Sequence, residues 1–132
     1  MVSARQKGAS GERELAKWLF THGLTRTLAE RNLEQVRKGG IDLIPKDHPF
    51  AYEVKRVESI TIGTFDKWWI KAMKDSRPLR REAVVAYRTS RSDWMFMVSV
   101  EKALGVPGSY AIIKGVTYVK FAQKRISGLG CD

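Results

Sequence analysis

Residues 40–56, GIDLIPKDHPFAYEVKR, decide how this 132-residue chain is read. A first apolar run, Ile41, Leu43 and Ile44, encloses one carboxylate, Asp42. The polar turn Pro45-Lys46-Asp47-His48-Pro49 separates it from a second run, in which Glu53 and Lys55 flank Val54. Strand side chains alternate, so Glu53 and Lys55 share one face while Tyr52 and Val54 point to the other. Paired as a hairpin, the two runs carry Asp42 to the face of Glu53. Two carboxylates brought together from adjacent strands repel each other and resist burial. A divalent cation relieves that cost.

Upstream, a helix is expected from Ser10 as N-cap through Leu15, Ala16, Leu19 and Phe20, with Gly23 as its stop. Residues 1–9 are short, basic and expected to be flexible. Glu12 precedes Leu15, Ala16 and Leu19 by three, four and seven positions, so it projects from the core-facing stripe. It is either a first-turn carboxylate stabilised by the helix dipole or a functional group, and the second reading is preferred. A capping box is excluded, because Arg13 occupies the third position after Ser10. Arg13 and Lys17 share another face, either solvated or aimed at phosphates. A weak edge strand is expected somewhere in residues 26–36. Gln35, Arg37 and Lys38 then precede Gly39-Gly40, where glycine permits a tight turn or close approach to a phosphate. The basic pair either contacts that phosphate or lines a solvated bend.

Downstream, residues 58–63 read as a loop, and Thr64 as the cap of a helix whose apolar positions are Phe65, Trp68, Trp69, Ala72 and Met73. Lys67, Lys71 and Lys74 make its outer side basic, and the Trp pair belongs to the core or a subunit interface. Arg77, Arg80 and Arg81 form a basic connection. Residues 83–87, AVVAY, are a buried strand, and alternation over residues 94–100 gives another. A short helix follows over residues 101–104, ended by Gly105. Residues 110–121 read as a hairpin around Lys114-Gly115, and residues 122–132 as a loose tail. Length and the lack of a linker point to one domain, residues 1–132, with a core over about residues 7–100 and a C-terminal extension over about residues 101–132.

Composition narrows the partners. Lys and Arg number 24 against 14 Asp and Glu, a net charge of +10. Such a balance suits a polyanion, since neutralising phosphates releases counterions. No apolar run reaches the roughly 20 residues of a membrane span, and no signal-peptide core opens the chain, so a soluble, cytoplasmic protein without a membrane partner is expected. A lone Cys131 excludes an intramolecular disulfide and argues against thiolate zinc. His22 and His48 fit no ligand spacing and are read as surface residues in turns.

With these pieces in order, the chain resembles the PD-(D/E)XK nuclease superfamily, and within it the archaeal- and phage-type Holliday junction resolvases. The matching segments are Lys7-Gly8 before Glu12-Arg13-Glu14-Leu15, then Gly40-Ile41-Asp42-Leu43, then Glu53-Val54-Lys55. The Gln35 to Gly40 run and the Trp68-Trp69 helix are similar to phage-encoded members, which places the protein in the host cytoplasm if it is phage-encoded. The proline of the superfamily's name is absent before Asp42. The resemblance covers roughly residues 7–100 and implies an α/β fold with a restriction-endonuclease-like core, a mixed central β-sheet flanked by helices in the order αβββαββ.

It further implies that Asp42 and Glu53 bind Mg²⁺, with Mn²⁺ as a substitute, helped by the Val54 carbonyl and with Glu12 in the outer shell. Lys55 would orient the attacking water or neutralise charge on the phosphate. Arg5 and Lys7 from the N-terminal stretch and Arg13 from the first helix are the expected DNA contacts, together with Gln35, Arg37, Lys38 and Arg56. The expected activity is paired, symmetric nicking of four-way DNA junctions by a homodimer, since a two-fold substrate suits a C2 pair. The alternatives are a nuclease of the same superfamily acting on linear or flapped DNA, and a non-catalytic DNA-binding protein of the same fold.

Overall fold

The computed structural model of the chain describes residues 4–31 and 40–128, with side chains from residue 10 onward. Its centre is a four-stranded sheet of order β1-β2-β3-β4, formed by β1 (Phe50–Arg56), β2 (Glu82–Arg88), β3 (Met95–Ser99) and β4 (Tyr110–Lys114). β1 runs parallel to β2, with Glu53 opposite Val85 and Lys55 opposite Tyr87. The other two pairings are antiparallel. β2 is interior and buried on both faces, which explains its unbroken AVVAY run.

Helix α1 (Ala4–Thr21) and the last helix, α4 (Gly115–Gly128), cover one face of the sheet. Leu15, Ala16 and Leu19 pack there with Tyr52, Val54, Val84, Phe96, Tyr118 and Ala122. Helix α2 (Ile62–Ser76) covers the other face, where Trp69 and Ala72 meet Ala83, Val85, Tyr87 and Met97. The short helix α3 (Glu101–Leu104) lies between β3 and β4, and Gly105 ends it in the left-handed conformation. Strand alternation assigns every side chain of β1 to one of these two cores. Tyr52 and Val54 go to the α1/α4 side, Glu53 and Lys55 to the α2 side.

Several local expectations are corrected. Helix α1 begins at Ala4, well before Ser10, and runs through Gly8 and Gly11. Gly11 is a packing residue: a Cβ there would stand 2.7 Å from Arg56 Cγ and 3.6 Å from Val54 Cγ1, so its bareness lets α1 lie close on β1. Helix α2 starts at Ile62 with Thr61 in the cap position, because the Thr61 carbonyl already accepts the Thr64 amide at 3.0 Å. In place of strands before β1, the described residues show two isolated bridges, Arg31 to Leu43 and Leu43 to Tyr52.

The expected hairpin over residues 110–121 and the loose tail are also replaced. β4 ends at Lys114 and Gly115 opens α4. Although residues 116–119 are rich in β-formers, Tyr118 and Ala122 stand one helical turn apart and both are fully buried. Tertiary packing overrides local propensity here. Tyr118 stacks on Phe96 with centroids 4.0 Å apart, and its hydroxyl lies 2.6 Å from that of Tyr52.

His48 is not a surface residue. It is buried beside Phe50 and Tyr52, with centroids at 5.4 and 5.7 Å. Its Nδ1 accepts the Phe50 amide at 3.4 Å. Arg81, from the basic connection after α2, donates to the carbonyls of Pro45 at 2.5 Å and Phe50 at 3.2 Å.

Two outcomes are expected for stability. Tyr118→Ala should cost about 3–5 kcal/mol in urea unfolding, the range for emptying a large buried aromatic site. Tyr118→Phe should cost about 1–3 kcal/mol, because it strands the Tyr52 hydroxyl. Burial first, and then the Arg81 charge, lower the His48 pKa from 6.5 to about 4. A depressed histidine contributes stability above 6.5 that is lost as pH falls to about 4, at no more than about 1.4 kcal/mol per pH unit. Melting temperatures of wild type and His48→Gln measured between about pH 7 and about pH 5 should therefore fall less steeply in the variant.

Candidate active site

Gly40 opens the site with φ of +114°, a conformation that side chains disfavour, and so turns the backbone into the segment that carries Asp42. Leu43 then pairs with Tyr52, its amide donating to the Tyr52 carbonyl at 3.1 Å while its own carbonyl accepts the Tyr52 amide at 2.9 Å. The Asp42 amide shares the Tyr52 carbonyl at 3.1 Å. This short pairing is all that remains of the expected hairpin, and it is enough to hold Asp42 against the outer edge of β1. There Asp42 Oδ2 accepts the Val54 amide at 2.7 Å, capping a sheet-edge donor with a carboxylate.

Glu53 sits beside it, 1% exposed, with Asp42 at 9% and Glu12 at 5%. Burial pushes the Asp42 pKa up to about 8; the Glu53 charge and a hydrogen bond with Glu53 add to this, as does the Glu12 charge, against the opposing Val54 amide. The buried pair therefore resists carrying two negative charges at once. The acidic residue on the core-facing stripe of α1 thus belongs to the same electrostatic cluster. Its Oε2 accepts from Arg31 Nε.

Lys55 lies two residues along β1 on the Glu53 side and is half-buried. Among the described residues its side chain makes no hydrogen bond or ion pair. The expected DNA contacts are less well gathered. Arg13 is exposed on α1. Arg56 is bound by Glu14, whose other oxygen meets Arg88 at 3.4 Å. Arg5 and Lys7 lie on the first turns of α1, and Gln35, Arg37 and Lys38 fall outside the described residues.

Two residues escaped the sequence reading, Arg31 and Lys71. Arg31 lies in a stretch with no periodic signal. Lys71 belongs to the outer side of α2 yet points Nζ at Glu53 Oε2, 3.2 Å away, and at Asp75 Oδ2, 2.9 Å away. A signal did exist: of the three α2 lysines it lies nearest the buried stripe, roughly 60° around the helix from Trp68.

Among the described residues, no group of three or more His, Cys, Asp or Glu side chains is arranged to hold a metal. Asp42 and Glu53 offer two carboxylates, with the Val54 carbonyl as a third oxygen. Burial and the neighbouring Glu53 and Glu12 charges, which raise the Asp42 pKa, mark a place where positive charge is favoured. A pair of hard oxygen donors fits Mg²⁺, which takes only one or two carboxylates and fills its other positions with water. Such a donor set does not suit a dedicated zinc centre, which would use His or Cys.

The model of the family described as "Phage putative PDDEXK endonuclease" matches residues 3–127. No curated protein matches the chain. Among solved structures, that of Hjc, a Holliday junction resolvase from the archaeal hyperthermophile Archaeoglobus fulgidus, is similar: it is 20% identical, with a TM-score of 0.48 over 85% of this chain and 87% of that chain.

The Asp42 environment has a consequence for the metal-free protein. A folded-state pKa raised from 3.8 to about 8 contributes stability that is present below the lower value and is lost as pH rises through the upper one. In chelator, Asp42→Asn should therefore gain melting temperature on the wild type as pH rises across that window. Millimolar Mg²⁺ should close the gap by stabilising only the wild type.

Proposed function

Since the chain belongs to the phage PDDEXK endonuclease family, we propose that it is a divalent-metal-dependent endonuclease whose substrate is branched DNA, cut by a homodimer in paired nicks. The nuclease fold is the restriction-endonuclease-like one, a mixed sheet between helices. The observation that carries the proposal is the meeting of Asp42 and Glu53, two buried carboxyls, at the open edge of β1.

In this reading Asp42 and Glu53 take Mg²⁺, with the Val54 carbonyl alongside. The chemistry that Mg²⁺ supplies when bound is Lewis acidity toward the scissile phosphate and easier deprotonation of water. The chain's own groups do the rest. Asp42 would hold the ion as the ionised carboxylate. Lys55, on the same face of β1 as Glu53, sets a point charge against the phosphate oxygens or holds the attacking water. Glu12 adds its charge from the α1 side, and its bond to Arg31 brings that residue to the cluster.

Substrate choice rests on charge and symmetry. The net charge of +10 supports phosphate contacts with little reading of bases. One site per chain supports a C2 dimer on a two-fold junction. Most of the Trp68–Met73 surface is spent in the core, leaving Ile70 exposed on α2, with Ile112 and Val116 exposed on β4 and α4.

Asp42→Asn and Glu53→Gln should each bind a four-way junction within a few-fold of wild type. Their Mg²⁺-dependent cutting should fall by about 10³-fold or more, as several kcal/mol of charge stabilisation leave with the metal. Full cutting by either variant defeats the site. Equal cutting of linear duplex and junction defeats the branched-DNA reading and favours the alternative substrate.

A further inference from the structure

Among the described residues, Lys71 is the one cation placed on Glu53. Its Nζ lies 3.2 Å from Glu53 Oε2 and 2.9 Å from Asp75 Oδ2 one helical turn away. The pairing is asymmetric: the Lys71 side chain is 51% exposed, while that of Glu53 is 2% exposed. A solvated lysine thus reaches inward to a buried carboxylate on a neighbouring element, and Asp75 steadies it from below. Partial burial works against the ammonium, but Asp75 and Glu53 more than offset it and raise the Lys71 pKa.

We propose that Lys71 is a positioning residue for Glu53, engaging Oε2 so that Oε1 is left turned toward Asp42 and a divalent cation. The proposal rests on the nuclease reading above and adds to it a group from α2, an element outside the motif. A carboxylate that ligates a metal through one oxygen needs its rotation fixed, and a hydrogen bond to the other oxygen does this. Without Lys71 a buried Glu53 has no cationic partner among the described residues and can swing away from Asp42. The Asp75 contact spans i to i+4 on the helix, so it restrains Lys71 without drawing on the sheet. Lys71 therefore acts on the metal through Glu53 and does not itself touch the reacting atoms.

The experiment is titration calorimetry of Mg²⁺ and Mn²⁺ into metal-free wild type, Lys71→Met, Lys71→Arg and Glu53→Gln, with melting curves of each in chelator. Lys71→Met is expected to weaken metal affinity about 10- to 100-fold, the usual effect of losing a partner that orients a ligand. Lys71→Arg should return it to within a few-fold of wild type. Melting in chelator should stay within a few degrees, because the Lys71 side chain is half solvent-exposed. Unchanged affinity in Lys71→Met, with binding lost in Glu53→Gln, overturns the role of Lys71 and leaves the nuclease site standing. Tighter binding in Lys71→Met also overturns it, since Lys71 would then compete with the cation. Absence of binding in wild type overturns both.

Discussion

Everything in the candidate site depends on forcing two carboxyl groups together at a sheet edge. Asp42 and Glu53 come from segments that pair through one isolated bridge, Leu43 with Tyr52. That bridge is short because Pro45 and Pro49 break the chain on either side of the turn, and neither can donate to a ladder. What fixes Asp42 is therefore its own side chain, which replaces the missing strand partner by accepting the Val54 amide. The carboxylate thus serves as backbone acceptor and as site group at once. The cost is an Asp42 pKa raised by burial and by the Glu53 charge.

The two faces of β1 divide the labour. On one side Tyr52 and Val54 enter the aromatic and aliphatic core under α1 and α4. On the other, Glu53 and Lys55 meet α2, which brings Lys71. α1 contributes to both tasks. Leu15 and Leu19 seal the core, Gly11 lets the helix press on Val54 and Arg56, and Glu12 adds its charge to Asp42. The candidate site is a junction of three elements around one strand, at the outer edge of β1.

Much of this was legible in the sequence. Alternation in FAYEVKR placed Glu53 opposite Tyr52, and the acidic Glu12 stood out because it interrupted an apolar stripe. The buried strand at residues 83–87 and the helix over residues 101–104 followed from the apolar run and from Gly105. What was not legible shares one cause, dependence on partners distant in sequence. α4 looked like a hairpin because Val116, Thr117, Tyr118 and Val119 favour strands locally, and only the stacking of Tyr118 on Phe96 makes the helix preferable. His48 looked exposed because its neighbours are turn residues, yet Phe50 and Tyr52 fold back over it. Lys71 looked like one of three solvated lysines. No local pattern says that a buried glutamate lies within reach.

The aromatic cluster also bears on the chemistry. Glu53 and Tyr52 are adjacent on β1, so the backbone that carries the carboxylate is anchored from behind by the Tyr52–Tyr118 hydroxyl pair and by Phe50 against Phe121. Like charges at a flexible edge would relax apart, raising neither proton affinity nor metal affinity. Here the strand cannot yield without breaking a packed aromatic face, so the repulsion persists as a standing field. Two carboxyls held in that field favour positive charge beside them, because it relieves what burial and repulsion cost. Preorganisation of the site is thus a property of the opposite face of the sheet, supplied in part by a C-terminal helix outside the motif segments.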